Sequence, residues 1–237
     1  MIAKFRNALS VDAVVFDAYG TLFDVQSVAT LAESLFPGRG DSLSRGWRAK
    51  QLEYSWLQSL MLSNTQPRED FAALTAHALD HAADALGLSL APMHRQRLLD
   101  AYLDLSPFPE AAPALAALTP LPRLILSNGT REMLEPLVAA TGLAPHLDAI
   151  LSVDAAGIYK PSPRVYQLAV DRLQLPAGRI GFVSSNGWDA VGGKAFGLTT
   201  IWVNRSGAPT ERHGPQPDAV IASLAELPAL FGRTQRT

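Results

Sequence analysis

Three side chains of this sequence are suited to nucleophilic and acid-base chemistry. Asp17 directly follows the apolar residues 13–16, Asp189 lies shortly after the apolar residues 180–183, and Lys160 lies between them in the chain. A carboxylate can form a covalent ester, which divides one difficult reaction into two easier steps, and a neighbouring lysine favours its charged form. Each residue also has an ordinary structural interpretation, since an aspartate after a strand often forms a turn and a buried lysine–aspartate pair need not be catalytic. Whether the catalytic or the structural interpretation holds depends on whether the fold brings the three side chains together.

The elements that would position these residues are indicated by short apolar runs. Such runs are typical of buried parallel strands, and helical patterns lie between them. The sequence therefore predicts an α/β fold with a doubly wound, mostly parallel, Rossmann-like sheet. The predicted strands are residues 13–16, 124–126, 150–151, 180–183 and 199–203, and the helices between them are residues 131–141, 164–173 and 189–196.

A long segment after the first strand differs from the rest of the chain. Residues 25–108 contain no pattern typical of a strand, and two prolines near their end mark the return to the α/β pattern. We therefore expect an inserted all-helical cap domain of residues 25–108 and an α/β core domain of residues 1–24 and 109–237. Helical spacing of apolar residues occurs in segments 44–62, 71–86 and 94–105.

Composition excludes several classes of function. The 237 residues carry a formal net charge of -2 and no dense basic run, so we expect neither a nucleic-acid nor a membrane partner. The absence of cysteine excludes a thiolate nucleophile and a disulfide. Residues 1–10 lack the apolar region of a signal peptide, and we expect a cytoplasmic protein with a frayed tail from residue 233.

Ligands of an open parallel sheet bind beyond the carboxyl ends of its strands. We therefore expect two carboxylates, a lysine and several hydroxyl and amide groups to meet in one crevice there. A glycine in the first of these loops would relieve the tight turn and let a substrate approach the backbone. The residues that follow the predicted strands are Asp17, Tyr19, Gly20, Thr21, Ser127, Asn128, Lys160, Ser184, Ser185, Asn186 and Asp189.

Four of these segments resemble the four motifs of the haloacid dehalogenase superfamily. They are residues 17–24 (Asp-Ala-Tyr-Gly-Thr-Leu-Phe-Asp), 126–129 (Leu-Ser-Asn-Gly), 159–161 (Tyr-Lys-Pro) and 183–189 (Val-Ser-Ser-Asn-Gly-Trp-Asp). Two further segments resemble the cap of the L-2-haloacid dehalogenases, residues 36–40 (Phe-Pro-Gly-Arg-Gly) and 47–56 (Trp-Arg-Ala-Lys-Gln-Leu-Glu-Tyr-Ser-Trp). The resemblance covers nearly the whole chain. It implies hydrolysis of short (S)-2-haloalkanoic acids to (R)-2-hydroxy acids and halide.

Two departures separate this sequence from the phosphatases of the same superfamily. Phosphatases typically carry a second aspartate, the general acid, at the position of Tyr19, whereas a departing halide is a weak base that needs no proton. They also hold Mg²⁺ with acidic residues in the fourth motif, where this chain has Ser184, Ser185 and Asn186. We therefore expect neither a metal nor a cofactor. A Mg²⁺-dependent phosphatase and a non-catalytic binding protein on the same scaffold are the alternatives.

The resemblance also implies roles for individual residues. Asp17 would be the nucleophile, Asp189 would help to activate the hydrolytic water, and Lys160 would orient both carboxylates. Asn186 and Ser184 would support this network. Arg48 and Asn128 would stabilise the departing halide, although an arginine on a helix is by default a solvated residue. The residues expected to bind the substrate are Thr21 and Ser127 at its carboxylate, Tyr19 and Tyr166 elsewhere in the site, and Leu52, Phe71 and Trp188 around its α-substituent.

Some of these assignments have equally ordinary alternatives. Ser127 also suits a strand-end turn, Tyr166 a helix core, and the three apolar pocket residues an ordinary hydrophobic core. Residues 64–70 form a longer segment than the family pattern, and Gly187 replaces the more usual alanine, so the resemblance does not fix the size of the pocket. The resemblance implies a homodimer, for which Leu57, Leu60 and Met61 are interface candidates, although they also suit the cap core.

Overall fold

The computed structural model describes residues 8–61 and 68–232. Its centre is one sheet in which every pair of neighbouring strands is parallel. The strands are β1 (Ala13–Phe16), β2 (Arg123–Ser127), β3 (Ala149–Ser152), β4 (Ile180–Ser184), β5 (Thr199–Val203) and β6 (Ala219–Ile221). Their order across the sheet, β3-β2-β1-β4-β5-β6, is that of a doubly wound Rossmann sheet, which confirms the predicted fold.

The strand register brings the chemically interesting loops to one edge of the sheet. Phe16, the last residue of β1, pairs with Ile125 of β2 and with Val183 of β4. The carboxyl ends of β1, β2 and β4 therefore lie side by side. Since β1 is the central strand of these three, the residue that follows it, Asp17, emerges between the loops of its two neighbours.

The first four of the helices between β1 and β2 follow one another with no strand between them in the described residues. They are α1 (Gln26–Leu35), α2 (Gly40–Met61), α3 (Phe71–Ala85) and α4 (Pro92–Ala101), and we call them the cap helices. This agrees with the helical patterns in the sequence. The division of the chain into separate domains at residues 24–25 and 108–109 stays a prediction.

The spacing of the buried side chains explains how the longest cap helix, α2, packs. The side chains of α2 that are buried, Leu43, Trp47, Gln51 and Ser55, recur every fourth residue and so lie along one face. The indole N–H of Trp47 donates a hydrogen bond of 2.7 Å to the carbonyl oxygen of Thr75, which joins this face to α3. The prediction began α2 at residue 44, four residues after its observed start.

The predicted helix 94–105 was too long at its carboxyl end. In the structure α4 ends at Ala101. The apolar side chain of Leu105 is nevertheless buried, because the chain returns beside β1 there and the backbone N–H of Asp24 donates to the carbonyl oxygen of Ser106 at 2.8 Å. Core contact, rather than a helix, accounts for the apolar residue at this position.

Five further helices pack against the sheet or close the chain. They are α5 (Ala111–Ala117), α6 (Arg131–Ala140), α7 (Pro163–Leu173), α8 (Gly187–Phe196) and α9 (Leu227–Leu230). No helix in the described ranges is long and apolar enough to cross a membrane. Most of the long cap segment, residues 64–67, lies outside the described residues, as do the tail from residue 233 and the first seven residues of the region searched for a signal peptide.

Candidate active site

Asp17 is held at the end of β1 by contacts on both of its carboxylate oxygens. The hydroxyl of Thr21 donates to Oδ2 at 3.0 Å and the amide of Asn186 donates to the same oxygen at 2.9 Å. The ammonium group of Lys160 donates to Oδ1 at 3.2 Å. Gly20 adopts a φ of +81°, a left-handed conformation that glycine accepts without strain, so the chain can turn back toward the carboxylate. These contacts fix the orientation of a buried carboxylate.

Lys160 lies between the two aspartates. Its Nζ is 2.9 Å from Oδ2 of Asp189 in addition to its contact with Asp17, and only 1% of the Lys160 side chain is exposed. Burial opposes a charge on Lys160, but the two carboxylates outweigh that effect and raise the pKa of the lysine above its usual value. Lys160 is therefore a cation at neutral pH.

Asp189 is more deeply enclosed than Asp17. Its side chain is 1% exposed, whereas that of Asp17 is 9% exposed. Burial raises the pKa of Asp189 above the usual aspartate range, against the opposing effect of Lys160. The hydroxyl of Tyr166 donates to Oδ1 of Asp189 at 2.8 Å, and because burial raises the pKa of Tyr166 well above its usual value, this hydroxyl keeps its proton. Asp189 is thus a fixed carboxylate poised to take up a proton more readily than an exposed aspartate.

Asn186 connects the nucleophile candidate to the cap. Its amide nitrogen binds Asp17, and its Oδ1 accepts a hydrogen bond of 3.4 Å from Nη2 of Arg48 on α2. The backbone N–H of Asn186 donates to Oγ of Ser184 at 3.2 Å, so the buried Ser184 supports the network through Asn186.

Asn128 and Arg48 direct hydrogen-bond donors toward the same region. Oδ1 of Asn128 accepts a hydrogen bond of 3.1 Å from the backbone N–H of Lys160. Because the amide oxygen is used in this way, the amide NH₂ group is the part of Asn128 that can donate to a ligand. Arg48 is half-buried, and its Nη1 donates to Oε1 of Gln51 at 2.6 Å.

These side chains enclose a small cavity between the sheet edge and the cap helices. Its free volume is about 10 Å³, which is room for about one water molecule. A larger ligand therefore requires the cavity to expand. The cavity is lined by Asp17, Tyr19, Arg48, Leu52, Phe71, Ser127, Asn128, Lys160, Asn186 and Trp188.

Four residues singled out from the sequence do not line this cavity. Ser184 and Asp189 lie behind Asn186 and Lys160, as described above. Thr21 and Tyr166, which the resemblance placed at the substrate, instead bind the two aspartates through their hydroxyls. In the structure these two hydroxyls therefore orient the carboxylates.

Two polar groups at the cavity have hydrogen-bonding capacity left for a ligand. The phenol oxygen of Tyr19 is buried and has no hydrogen-bond partner among the described residues. A Cβ on Gly129 would lie 2.9 Å from Cε2 of Tyr19, so glycine at that position lets the ring approach. Oγ of Ser127 accepts a hydrogen bond of 3.2 Å from the backbone N–H of Gly129, which leaves the serine proton available to donate.

The donor set does not fit a Mg²⁺ site. Mg²⁺ requires several oxygen ligands, whereas the oxygens of Asp17 are occupied by the donors of Thr21, Asn186 and Lys160. No group of three or more His, Cys, Asp or Glu side chains that could hold a metal occurs in the part of the chain that the structure describes. We therefore assign no step to a metal.

Sequence reasoning missed one polar residue of this region, Gln51, which accepts a hydrogen bond from Arg48. Ser185, expected at this sheet edge without a role, donates its backbone N–H to Oγ1 of Thr21 at 2.8 Å. A signal was present for Gln51, since it occupies the position on α2 that the four-residue spacing gives to a buried side chain. A polar residue at a buried helix position needs hydrogen-bond partners, so Gln51 indicates that other polar groups lie opposite it.

Comparison with known proteins connects this geometry to one family. Residues 11–197 match the family model of the haloacid dehalogenase-like hydrolases. The chain is 44% identical to an (S)-2-haloacid dehalogenase of Pseudomonas sp. (strain YL), over 93% of this chain and 94% of that protein. It is 43% identical to an (S)-2-haloacid dehalogenase of Xanthobacter autotrophicus, again over 93% and 94%.

Solved structures give the same result. The crystal structure of an L-2-haloacid dehalogenase superposes with a TM-score of 0.90 at 44% identity, covering 94% of this chain and 99% of that one. The L-2-haloacid dehalogenase from Xanthobacter autotrophicus with chloropropionic acid covalently bound superposes with a TM-score of 0.85 at 42% identity, covering 94% of this chain and 98% of that one.

Proposed function

The chain belongs to the haloacid dehalogenase-like hydrolases, and from this premise we propose that it hydrolyses short (S)-2-haloalkanoic acids to (R)-2-hydroxy acids and halide. The observation that carries the proposal is the pairing of a buried carboxylate, Asp17, with Arg48 and Asn128 in one closed cavity. The enzyme acts on a carbon–halide bond. The two relatives named above, which are of similar length, are (S)-2-haloacid dehalogenases.

In the first step Asp17 attacks C2 of the substrate. A carboxylate oxygen forms a bond to C2 while the carbon–halogen bond breaks on the opposite side, and the halide departs with the electron pair. The single displacement inverts C2. Arg48 and Asn128 stabilise the negative charge that develops on the halogen, where preorganised donors have their largest effect. No proton is transferred, so Tyr19 can stand where a phosphatase carries its general acid.

In the second step water hydrolyses the Asp17 ester. The water oxygen bonds to the carboxyl carbon of Asp17 and gives up a proton with the help of Asp189, and the bond from that carbon to the oxygen now attached to C2 then breaks. The proton passes to the departing alkoxide, which yields the 2-hydroxy acid. Lys160 and Tyr166 hold Asp189 in place for this exchange.

Substrate recognition falls to the groups that line the cavity. The free hydroxyl of Tyr19 and the serine proton of Ser127 would bind the substrate carboxylate. Leu52, Phe71 and Trp188 would surround the α-substituent. The ring of Trp188 meets that of Trp56 edge-on at 5.6 Å, so this wall is itself supported from α2.

The alternatives from the sequence are less well supported. A Mg²⁺-dependent phosphatase requires acidic ligands that the site does not supply. A non-catalytic binding protein has no need of Lys160 between two buried carboxylates. We also propose that the enzyme is cytoplasmic and forms a homodimer, to which the apolar side chains at the end of α2, Leu60 at 83% and Met61 at 57% exposure, would contribute.

We expect the purified protein to release chloride from (S)-2-chloropropionate in the presence of EDTA, and to release it from the R enantiomer at least about 100-fold more slowly. In-line attack from the fixed Asp17 requires the halogen of the S enantiomer to point at Arg48, and the R enantiomer cannot place both its halogen and its carboxylate correctly. Ion chromatography of the reaction mixtures measures both rates. Equal rates would contradict the geometry, and Mg²⁺-dependent phosphate release from phosphate esters, lost in EDTA, would support the phosphatase instead.

A further inference from the structure

Gln51, a buried glutamine on α2, is placed to fix the orientation of Arg48. Gln51 is fully buried, although an amide side chain normally lies at a protein surface. Burying an amide is costly unless its hydrogen bonds are made. We propose that Gln51 is a positioning residue that aims Arg48 at the departing halide and leaves the arginine charge uncancelled. This inference rests on the proposed function and adds a residue to it.

The hydrogen bonds around Gln51 run in one direction. Nη1 of Arg48 donates to Oε1 of Gln51 at 2.6 Å, and Nε2 of Gln51 donates to Oγ1 of Thr75 at 2.6 Å. Oγ1 of Thr75 in turn donates to the carbonyl oxygen of Phe71 at 2.6 Å. We call these three contacts the Gln51 relay.

The direction of the relay fixes the amide of Gln51. The single proton of the Thr75 hydroxyl is used on the Phe71 carbonyl, so the hydroxyl oxygen must accept from its other neighbour. The NH₂ group of Gln51 therefore faces Thr75, and its carbonyl oxygen faces Arg48. The reversed amide would place two donors opposite each other at Arg48 and two acceptors opposite each other at Thr75, which excludes it on physical grounds.

The relay is anchored at its far end. The carbonyl oxygen of Thr75 accepts the indole N–H of Trp47, which is itself fully buried. Phe71, the last acceptor, lines the cavity that Arg48 also lines. The orientation of the guanidinium is therefore set before a ligand arrives, and such preorganisation is what makes a donor effective in a transition state.

The group that accepts from Arg48 is an uncharged amide, and this matters as much as its position. Several arginines of this protein are paired with carboxylates, among them Arg68 with Asp154 and Arg205 with Glu110. Within the described residues Arg48 has no such pair, and its acceptors are the amide oxygens of Gln51 and Asn186. An amide holds the guanidinium without neutralising it, so the full charge remains for the halide. A carboxylate in place of Gln51 would keep the contact and cancel the charge.

The test compares Gln51→Glu and Gln51→Met with the wild-type enzyme. Single-turnover halide release is measured with (S)-2-chloropropionate and (S)-2-bromopropionate, so that ester hydrolysis does not mask the step. We expect Gln51→Glu to slow chloride release by about 100-fold. Bromide release should slow less, because bromide is the better leaving group and depends less on electrostatic help. The bromide-to-chloride rate ratio therefore rises several-fold.

The other variants separate positioning from folding. Gln51→Met keeps the length of the side chain, removes both hydrogen bonds and should raise the ratio less than Gln51→Glu does. Gln58→Glu, which adds the same charge to the same helix at a half-buried position, should leave the ratio unchanged. Thermal unfolding is recorded for all three, and Gln51→Met alone decides the question if Gln51→Glu does not fold.

A purely structural role for Gln51 predicts a different pattern. Both Gln51 variants would then lower the melting temperature and leave the bromide-to-chloride ratio at its wild-type value, and that result would overturn the inference while the proposed function stands. Failure of the wild-type enzyme to release either halide would overturn the proposed function itself, and the role of Gln51 with it. The first failure is seen in the Gln51 variants and the second in the wild-type enzyme, so the two are distinguishable.

Discussion

The Asp17→Asn variant is expected to release halide at least about 10⁴-fold more slowly than the wild-type enzyme. An amide is a far weaker nucleophile than a carboxylate, and no other carboxylate of the described residues lines the cavity. The substitution preserves the size of the side chain and its contact with Thr21. Halide release from (S)-2-chloropropionate measures the loss, and circular dichroism verifies the fold.

Asp24→Asn is the matched control for this variant. Asp24 lies in the same segment and its carboxylate accepts a hydrogen bond of 2.8 Å from the backbone N–H of Gln26, away from the cavity. We expect its halide release to stay within about threefold of wild type, since it touches no reacting group. An Asp17→Asn variant that folds and retains a tenth of the wild-type rate would show that another group is the nucleophile.

Lys160→Met is expected to lower the free energy of unfolding by about 3–5 kcal/mol at neutral pH, because it leaves two buried carboxylates without their cation. The pKa of Lys160 is raised in the folded protein. Its stabilising contribution is therefore fully present at neutral pH and is lost only as the pH rises through that raised value. Urea unfolding monitored by tryptophan fluorescence measures the difference between the two proteins.

Acidification should reduce the difference in free energy of unfolding between the wild-type protein and Lys160→Met. Burial already raises the pKa of Asp189 above its usual value, and loss of Lys160 raises it further. In the variant the aspartate therefore takes up a proton as the pH falls through a higher range, which removes the buried charge and restores part of the stability. A difference in free energy of unfolding that stays constant from pH 8 to about pH 5 would contradict the proposed electrostatics.

Lys194→Met provides the comparison for a more exposed ion pair. Lys194 binds Asp218 at 2.7 Å, but their side chains are 31% and 27% exposed. Solvent screening limits such a pair to about 1 kcal/mol or less. A loss in Lys194→Met as large as that in Lys160→Met would show that burial between two carboxylates is not what makes Lys160 important.

Most of the sheet could be predicted from sequence because β1, β2, β4 and β5 are buried on both faces. Residues 13–16 and 199–203 coincide with β1 and β5, since every residue of a buried parallel strand is apolar or nearly so. The missed strand, β6, has three residues, and its central Val220 is 46% exposed. An edge strand of this length leaves no apolar run that separates it from a loop.

The meeting of Asp17, Lys160 and Asp189 followed from topology alone. Each lies beyond the carboxyl end of a strand or in a loop at that edge, so a correct strand assignment brings them together without any knowledge of side-chain direction. Side-chain direction is what the sequence did not specify. Thr21 and Tyr166 lie in the right region, but their hydroxyls turn toward the aspartates, because local packing and not spacing chooses the rotamer.

The role of Gln51 was hidden for a related reason. Its importance depends on one partner from α3, Thr75, and on a neighbour on its own helix, Arg48, and the contact between α2 and α3 is formed only in the folded protein. Helical spacing shows that position 51 faces inward but not which groups meet it there. Polar residues on a buried helix face are therefore the ones for which a structure adds most to the sequence.

Incorporation of solvent oxygen into Asp17 tests the central claim most directly. A single turnover of (S)-2-chloropropionate is run in H₂¹⁸O with enzyme in excess, and the peptide that contains Asp17 is then examined by tandem mass spectrometry. Since water attacks the carboxyl carbon of the ester, we expect one heavy oxygen in the Asp17 carboxylate and an unlabelled hydroxyl in the product. A labelled hydroxy acid with an unlabelled Asp17 would show that water attacks C2 directly and that Asp17 is not the nucleophile.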